Sequence, residues 1–282
     1  MVRHSRIDDT VDPPQDLVWH TRRLVGQLEA SVLTMAFGAA LLREGSAVEL
    51  EGCMSAANLG GVDWGAIQAL SPMLRVVRDD AGTPVCFGTH AVLCDVVLAE
   101  SPTKLDPEDC SRLRAAVLSH LTRSLDLMRL TGMLQSACDG DEVARWCEAH
   151  GMALLHRYGA PAVDRCLAKV PPVIISSSAR LLLLRSAALR EQECSDEALT
   201  HVGLAFRIAE ADDDLDTQAS ALVFTVRLAL DTADLPRARQ ALHQMNAALR
   251  SRLSEPEVCL LDAYTAVLGA QCGNCEVADG HA

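Results

Sequence analysis

Aromatic side chains are scarce in this chain: Phe, Trp and Tyr together make up 3% of its 282 residues. That scarcity argues against a sandwich or barrel, whose strands favour aromatic and β-branched residues. The interior must be built from Leu, Ala and Val, a set suited to close helix–helix packing. Lysine is nearly missing as well, with Lys104 and Lys169 the two in the chain. Neither follows a glycine loop, and no Gly-x-x-x-x-Gly-Lys-Ser/Thr run occurs, so a phosphate-cradling loop of that type is absent.

An excess of positive charge is missing too. The formal net charge is −13. It divides into −5 for residues 1–104, −1 for 105–170 and −7 for 171–282. No region carries the basic footprint that phosphate contacts require, so direct nucleic-acid binding is disfavoured. Long apolar runs are also absent. Leu181 to Leu184 stops at Arg185, and Ala219 to Val226 stops at Arg227, far short of a membrane span. The first residues, Met1-Val-Arg-His-Ser-Arg-Ile-Asp-Asp, lack the apolar core of a secretory signal. The 11 cysteines are odd in number and irregularly spaced; Cys147, Cys166, Cys194 and Cys259 sit in helical surroundings. They read as small buried thiols in a reducing compartment, not a disulfide framework. The expectation is a cytoplasmic chain with no membrane partner.

Catalytic and metal patterns are missing in turn. There is no His-Glu-x-x-His, no Gly-x-Ser-x-Gly and no paired-carboxylate motif. Cys272-Gly-Asn-Cys275 has His281 nearby but no evident fourth ligand for zinc, and it is expected on a turn between helices. His150 and His156 are six apart, on different faces of a helix. His90 reads as a capping or packing residue, Trp64 and Trp146 as core, and Ser176-Ser-Ser178 as a helix start. No catalytic, cofactor-binding or metal-binding residue is assigned, no cofactor is expected, and the chain is not expected to be an enzyme.

What is present is a rhythm. Ala188-Leu-Arg-Glu-Gln-Glu-Cys-Ser-Asp-Glu-Ala198-Leu recurs in outline as Leu228-Ala-Leu-Asp-Thr-Ala-Asp-Leu-Pro-Arg-Ala238-Arg. It recurs again as Leu268-Gly-Ala-Gln-Cys-Gly-Asn-Cys-Glu-Val-Ala278-Asp. The three alanines are spaced by 40 residues, a period that means stacked helix pairs. Small residues there let helix axes approach to roughly 8–10 Å.

The fold expected is mostly α: a small winged-helix-like subdomain followed by a tetratricopeptide-like solenoid of helical hairpins. Residues 1–15 read as a flexible lead-in and 16–104 as the winged-helix-like part. A helical arm covers 105–170, and repeats fill 171–282 with the last one truncated. Within the first part Leu74–Arg78 and Pro84–Gly88 are strand candidates flanking a hairpin loop with Gly82. Ser46, Asp63, Ser178 and Ser195 are expected to cap helices. Further on, Pro236–Arg250 reads as one helix, and Val258–Ala270 as the last complete one.

On the first helix of the repeat, Arg180, Leu183, Ala187 and Arg190 share a face. Forty residues on, that face carries Ser220, Val223, Arg227 and Leu230. This face lines the groove in helix-pair arrays. Arg180, Arg190 and Arg227 are therefore the candidate site, able to receive an anionic ligand or an acidic peptide; the competing reading is three solvated surface arginines.

Three stretches carry a family resemblance. They are Trp64 to Val77, Phe87-Gly-Thr-His90 through Leu98, and Cys138-Asp-Gly-Asp through Gly151 with Val170-Pro and Ala179-Arg-Leu-Leu-Leu-Leu-Arg185. In this order they resemble the MalT-like group of LuxR-type, ATP-dependent transcriptional regulators. In that group a winged-helix subdomain, a helical arm and a tetratricopeptide-like sensor array follow one another. Val92-Leu93 replaces an aromatic pair usual there. The group's nucleotide-binding and DNA-reading parts are not matched, so neither ATP hydrolysis nor DNA binding carries over. The resemblance implies a signal-sensing or protein-interaction module, natural truncation, split gene product or fragment alike. Its partner would be an effector molecule or a protein in the repeat groove, with association through the repeats also open. The alternatives are a transcription factor that binds DNA through the wing, or a non-functional truncated remnant.

Overall fold

The structure is a computed structural model that describes residues 15–67, 70–71, 73–124 and 126–279, with side chains as far as Gly269. The lead-in expected at the start and His281 lie outside the described residues, apart from Gln15, which opens the first helix. The chain divides into two compact units at Cys138/Asp139. That division falls inside the stretch 105–170 expected to be a single arm.

The first unit holds α1 (Gln15–Gly26), α2 (Ala30–Leu42), β1 (Glu44–Ser46), α3 (Ala47–Ala56), α4 (Trp64–Ile67), β2 (Leu74–Arg78), β3 (Pro84–Thr89), α5 (Ala91–Lys104), α6 (Pro107–Ser124) and α7 (Leu127–Ser136). Its centre is α2, which from Met35 to Leu42 is buried on every side. A helix apolar all round belongs in a core, and α3, α5 and α6 pack against it.

The three strands form one antiparallel sheet in the order β1-β3-β2, with Gly45 and Val76 both opposite Phe87. The hairpin appears where expected: Asp79 Oδ1 accepts from Ala81 N and Thr83 N at 3.0 and 2.8 Å, and Gly82 takes a φ of +82°. The succession from α2 through β1, α3, α4, β2 and β3 is winged-helix-like. His90 caps α5, its Nδ1 accepting from Val92 N at 3.3 Å. Trp64 is buried, with Nε1 donating to Glu51 at 2.8 Å.

One ionic node ties these elements together. Ser46 and Glu49 make a reciprocal capping box at the start of α3. The Glu49 carboxylate also accepts from Arg129 of α7 at 2.9 Å and lies 3.0 Å from His120 Nε2 of α6. Arg129 donates further to Asp126 at 2.7 Å and to the Glu44 carbonyl at 2.8 Å. Partial burial pushes the Glu49 carboxyl up. Hydrogen bonds from Arg129, the Ser46 backbone and His120 outweigh it and bring the pKa down to about 2.

The second unit is all helix: α8 (Gly140–Tyr158), α9 (Ala160–Leu167), α10 (Pro172–Ser177), α11 (Ala179–Glu191), α12 (Ser195–Ala211), α13 (Leu215–Asp231), α14 (Leu235–Gln244), α15 (Ala247–Arg250) and α16 (Glu255–Asp279). Neighbours in sequence pack as hairpins: α8 with α9, α11 with α12, and α13 with α14. Successive hairpins stack through α8 on α11 and α12 on α13. Ala198 and Ala238 are each the fourth residue of the second helix of a pair, and each is fully buried. The forty-residue rhythm is thus architecture. Ser186 of α11 donates to the Ala198 carbonyl at 2.8 Å, fastening one pair at its crossing.

The turns repeat every twenty residues. Cys194 N donates to Leu189 O, Asp214 N to Ala209 O, and Asp234 N to Ala229 O. The residue before each donor, Glu193, Asp213 and Ala233, has a positive φ. These are Schellman closures built without glycine.

Several expectations need correction. Cys147 and Cys166 are buried, but Cys194, in the turn before α12, and Cys259, on α16, are exposed. Ser195 does not cap α12; the helix begins at Ser195 after Cys194, with no side-chain cap bond. Pro236–Arg250 is not one helix: it breaks after Gln244, where Asn246 caps α15 by accepting from Leu249 N at 2.9 Å. The last helix does not stop at Ala270. α16 runs unbroken through Cys272–Cys275, so that motif lies within a helix and not on a turn, and the third copy of the repeat does not fold back. The side chains of Cys272, Cys275 and Ala278 lie outside the described residues.

Candidate functional site

Each hairpin turns its first helix toward a common groove. Residues of α8, α11, α13 and α16 together line a cavity of about 650 Å³. This is within the size range of small-ligand sites, roughly 300–1,000 Å³. Arg180, Leu183, Ala187 and Arg190 line it from α11, and Ser220, Val223 and Arg227 from α13. The candidate arginines Arg180, Arg190 and Arg227 are therefore brought to one cavity. Leu230, expected on the same face, is not part of the lining and packs into the core of α13 and its neighbours.

The three arginines differ in their surroundings. Arg190 Nε lies 2.6 Å from Asp231 Oδ2 and is a quarter exposed. Arg180 reaches Asp214 at 3.6 Å and is more than half exposed. Among the described residues, Arg227 has neither an ion pair nor a hydrogen bond. Half-buried, it lies within electrostatic reach of the Tyr264 phenol, which burial pushes up despite the opposing pull of Arg227. A guanidinium in this setting is open to an anionic group.

Bonds between neighbouring first helices fix their direction. At the N-terminal ends of α11 and α13 Arg180 meets Asp214, and Ser178, which caps α11, donates its Oγ to Glu148 midway along α8 at 2.5 Å. At the C-terminal ends Glu191 accepts at 2.9 Å from the amide of Ala160, just past the end of α8 at the start of α9, and Arg190 meets Asp231. Helices α8, α11 and α13 therefore run side by side in the same sense. Ser178 and Asp214 cap α11 and α13, Asp214 also accepting from Thr217 Oγ1 at 2.7 Å. Burial raises the Asp214 carboxyl, but the Thr217 bonds and Arg180 more than offset this and hold it below the usual range. Where α8 crosses α11, Gly151 has no room for a Cβ beside Leu184.

Several lining residues were not foreseen: Glu148, Met152 and His156 of α8, Asp216 and Phe224 of α13, and Glu257 and Leu260 of α16. A signal for some was present. Arg180, Ser220 and Leu260 stand forty residues apart, as do Leu184 and Phe224. The α8 residues carried no such signal, because α10 interrupts the spacing between α8 and α11.

Cys147, also in the lining, hydrogen-bonds with Cys166; that contact and burial push its thiol up and keep it protonated. His150 packs against Trp146 with ring centroids 5.5 Å apart. Among the described residues no three His, Cys, Asp or Glu side chains cluster for a metal ion, and no helix is long and apolar enough to cross a membrane. Comparison with protein-family models, curated proteins and solved structures finds no match to this chain.

Proposed function

We propose that this chain is the signal-sensing or protein-interaction module of a LuxR/MalT-type transcriptional regulator, acting in the cytoplasm. An effector or partner sits in the groove of the helical hairpins, and the winged-helix-like part serves as a connector. The observation that carries this reading is the cavity itself. Three first helices and α16 converge on about 650 Å³ of space that Arg180, Arg190 and Arg227 help to line. The succession of winged-helix-like subdomain, further helices and hairpin array also has the order expected of that regulator group. Ligand binding would favour one arrangement of stacked hairpins over another.

The DNA-binding alternative has less support. The wing loop carries Asp79 and Asp80, and Arg78 is turned back onto the Gly82 carbonyl at 2.9 Å.

The test is thermal shift of the full chain against metabolites and nucleotides, with pull-down from lysate. A ligand that raises the melting temperature of the chain but not of a Phe224→Ala, Arg227→Gln variant supports the reading. If no compound shifts the melt and no partner is retained, the reading fails.

A further inference from the structure

Resting on the groove reading above, we infer that the ligand is a short linear peptide of about five residues with both termini free. Its amino group sits at the N-terminal ends of the first helices and its carboxylate at their C-terminal ends.

The parallel run of α8, α11 and α13 sorts the groove's charges by end. At one end lie Glu148, bonded to Ser178, Glu257, bonded to the Ser254 amide and hydroxyl, and Asp216, together with the Arg180–Asp214 pair. Arg252 approaches Asp216 there at 4.0 Å, at the limit of an ion pair. That end carries surplus negative charge, which suits an ammonium group. At the other end lie Arg227 and the Arg190–Asp231 pair; His156, near the C-terminal end of α8, belongs to the same lining. The acid in that part of the lining, Glu191, is committed to the Ala160 amide. Arg227 is left to receive a carboxylate.

The distance between the two ends sets the length. Asp216 and Arg227 are both on α13, eleven residues apart. At 1.5 Å rise per residue this is about 16 Å. An extended peptide covers roughly 3.3–3.6 Å per residue, so about five residues bridge the two charges. Between them the walls are apolar: Leu183, Ala187, Val223, Phe224 and Leu260, with the Ser220 hydroxyl among them. Such walls suit uncharged, small or aliphatic inner residues. A polyanion such as a nucleotide would meet the carboxylates, and a polyamine would meet the arginines. The dipolar arrangement disfavours both.

The experiment is affinity selection by mass spectrometry, using the full chain and a synthetic pool of free pentapeptides with Ala, Leu, Val and Ser at the inner positions. Retained peptides are resynthesised N-acetylated or C-amidated and titrated by calorimetry. Each block is expected to weaken binding at least tenfold. Asp216→Asn should remove most of the acetylation effect and Arg227→Gln most of the amidation effect. Because the blocks alter the peptide and not the protein, they read out even where a variant folds poorly. Retention of no peptide, or equal binding of blocked and free forms, overturns the inference. If no peptide is retained but a non-peptide metabolite shifts the melt, the groove reading survives and this inference alone falls; if neither binds, both fall.

Discussion

Glu49→Gln in the first unit should weaken the junction of α3, α6 and α7 by an amount that depends on pH. The wild-type carboxyl has a pKa of about 2 against an ordinary value of 4.5. At roughly 1.4 kcal/mol per pKa unit, the ionised side chain contributes about 3 kcal/mol at neutral pH. Because the folded value is the lower one, the unfolded chain takes up the proton first on acidification. The contribution is complete above pH 4.5 or so and drains away as the pH falls toward 2. Glutamine matches the protonated acid in shape but cannot acquire the charge, so the difference between the two proteins tracks ionisation. The assay is hydrogen exchange followed on peptides covering 47–56 and 107–136, which reports local opening in this unit without requiring the whole chain to unfold in one step. The gap in opening free energy should be about 3 kcal/mol at pH 6 and about half that at pH 3. A gap that stays flat across this range, or no gap at pH 6, would refute the assignment of the node as an ionic lock.

Ala198→Leu and Ala238→Leu should each cost roughly 1–3 kcal/mol, since both sites are fully buried at a helix crossing; denaturant titration followed by Trp146 fluorescence, with Trp19 and Trp64 replaced by Phe, measures it. Asp214→Ala removes the α13 cap, the Thr217 bond and the Arg180 ion pair, and should cost about 1 kcal/mol of thermal stability in scanning calorimetry. Brief alkylation at pH 8 read by mass spectrometry should mark the exposed Cys194 and Cys259. Cys53 and Cys94, whose thiols burial pushes up to about 11 and about 12, should be spared. Cys94 labelling as fast as Cys194 would contradict the packing of α5.

The sequence announces its hairpins through alanine because a helix crossing tolerates little else, so Ala198 and Ala238 stand out at their spacing. It announces the groove face for the same reason: Arg180 and Ser220 keep their places when the unit repeats. The turns are harder to read. Glu193, Asp213 and Ala233 adopt the left-handed conformation that glycine usually marks, so no composition signal accompanies them. Strand β1 is three residues long, too short for alternation to show, and exists through its pairing with β3. Ser195 looked like a cap by residue type, yet the chain enters α12 one residue earlier. In the last copy, the likeness of 268–279 to the preceding turns led the reading astray, as helix continues where the earlier copies bend. The walls supplied by α8 were hidden because α10 shifts them out of phase with the array.

The bonds that hold α11 beside α13 within the groove, Arg180 with Asp214 and Arg190 with Asp231, are partly open to water. Ion pairs so placed are each worth less than about 1 kcal/mol and fade as ions crowd around them. Salt should therefore loosen these two clasps first, while the hydrocarbon seams between hairpins, which hold the array, stay shut.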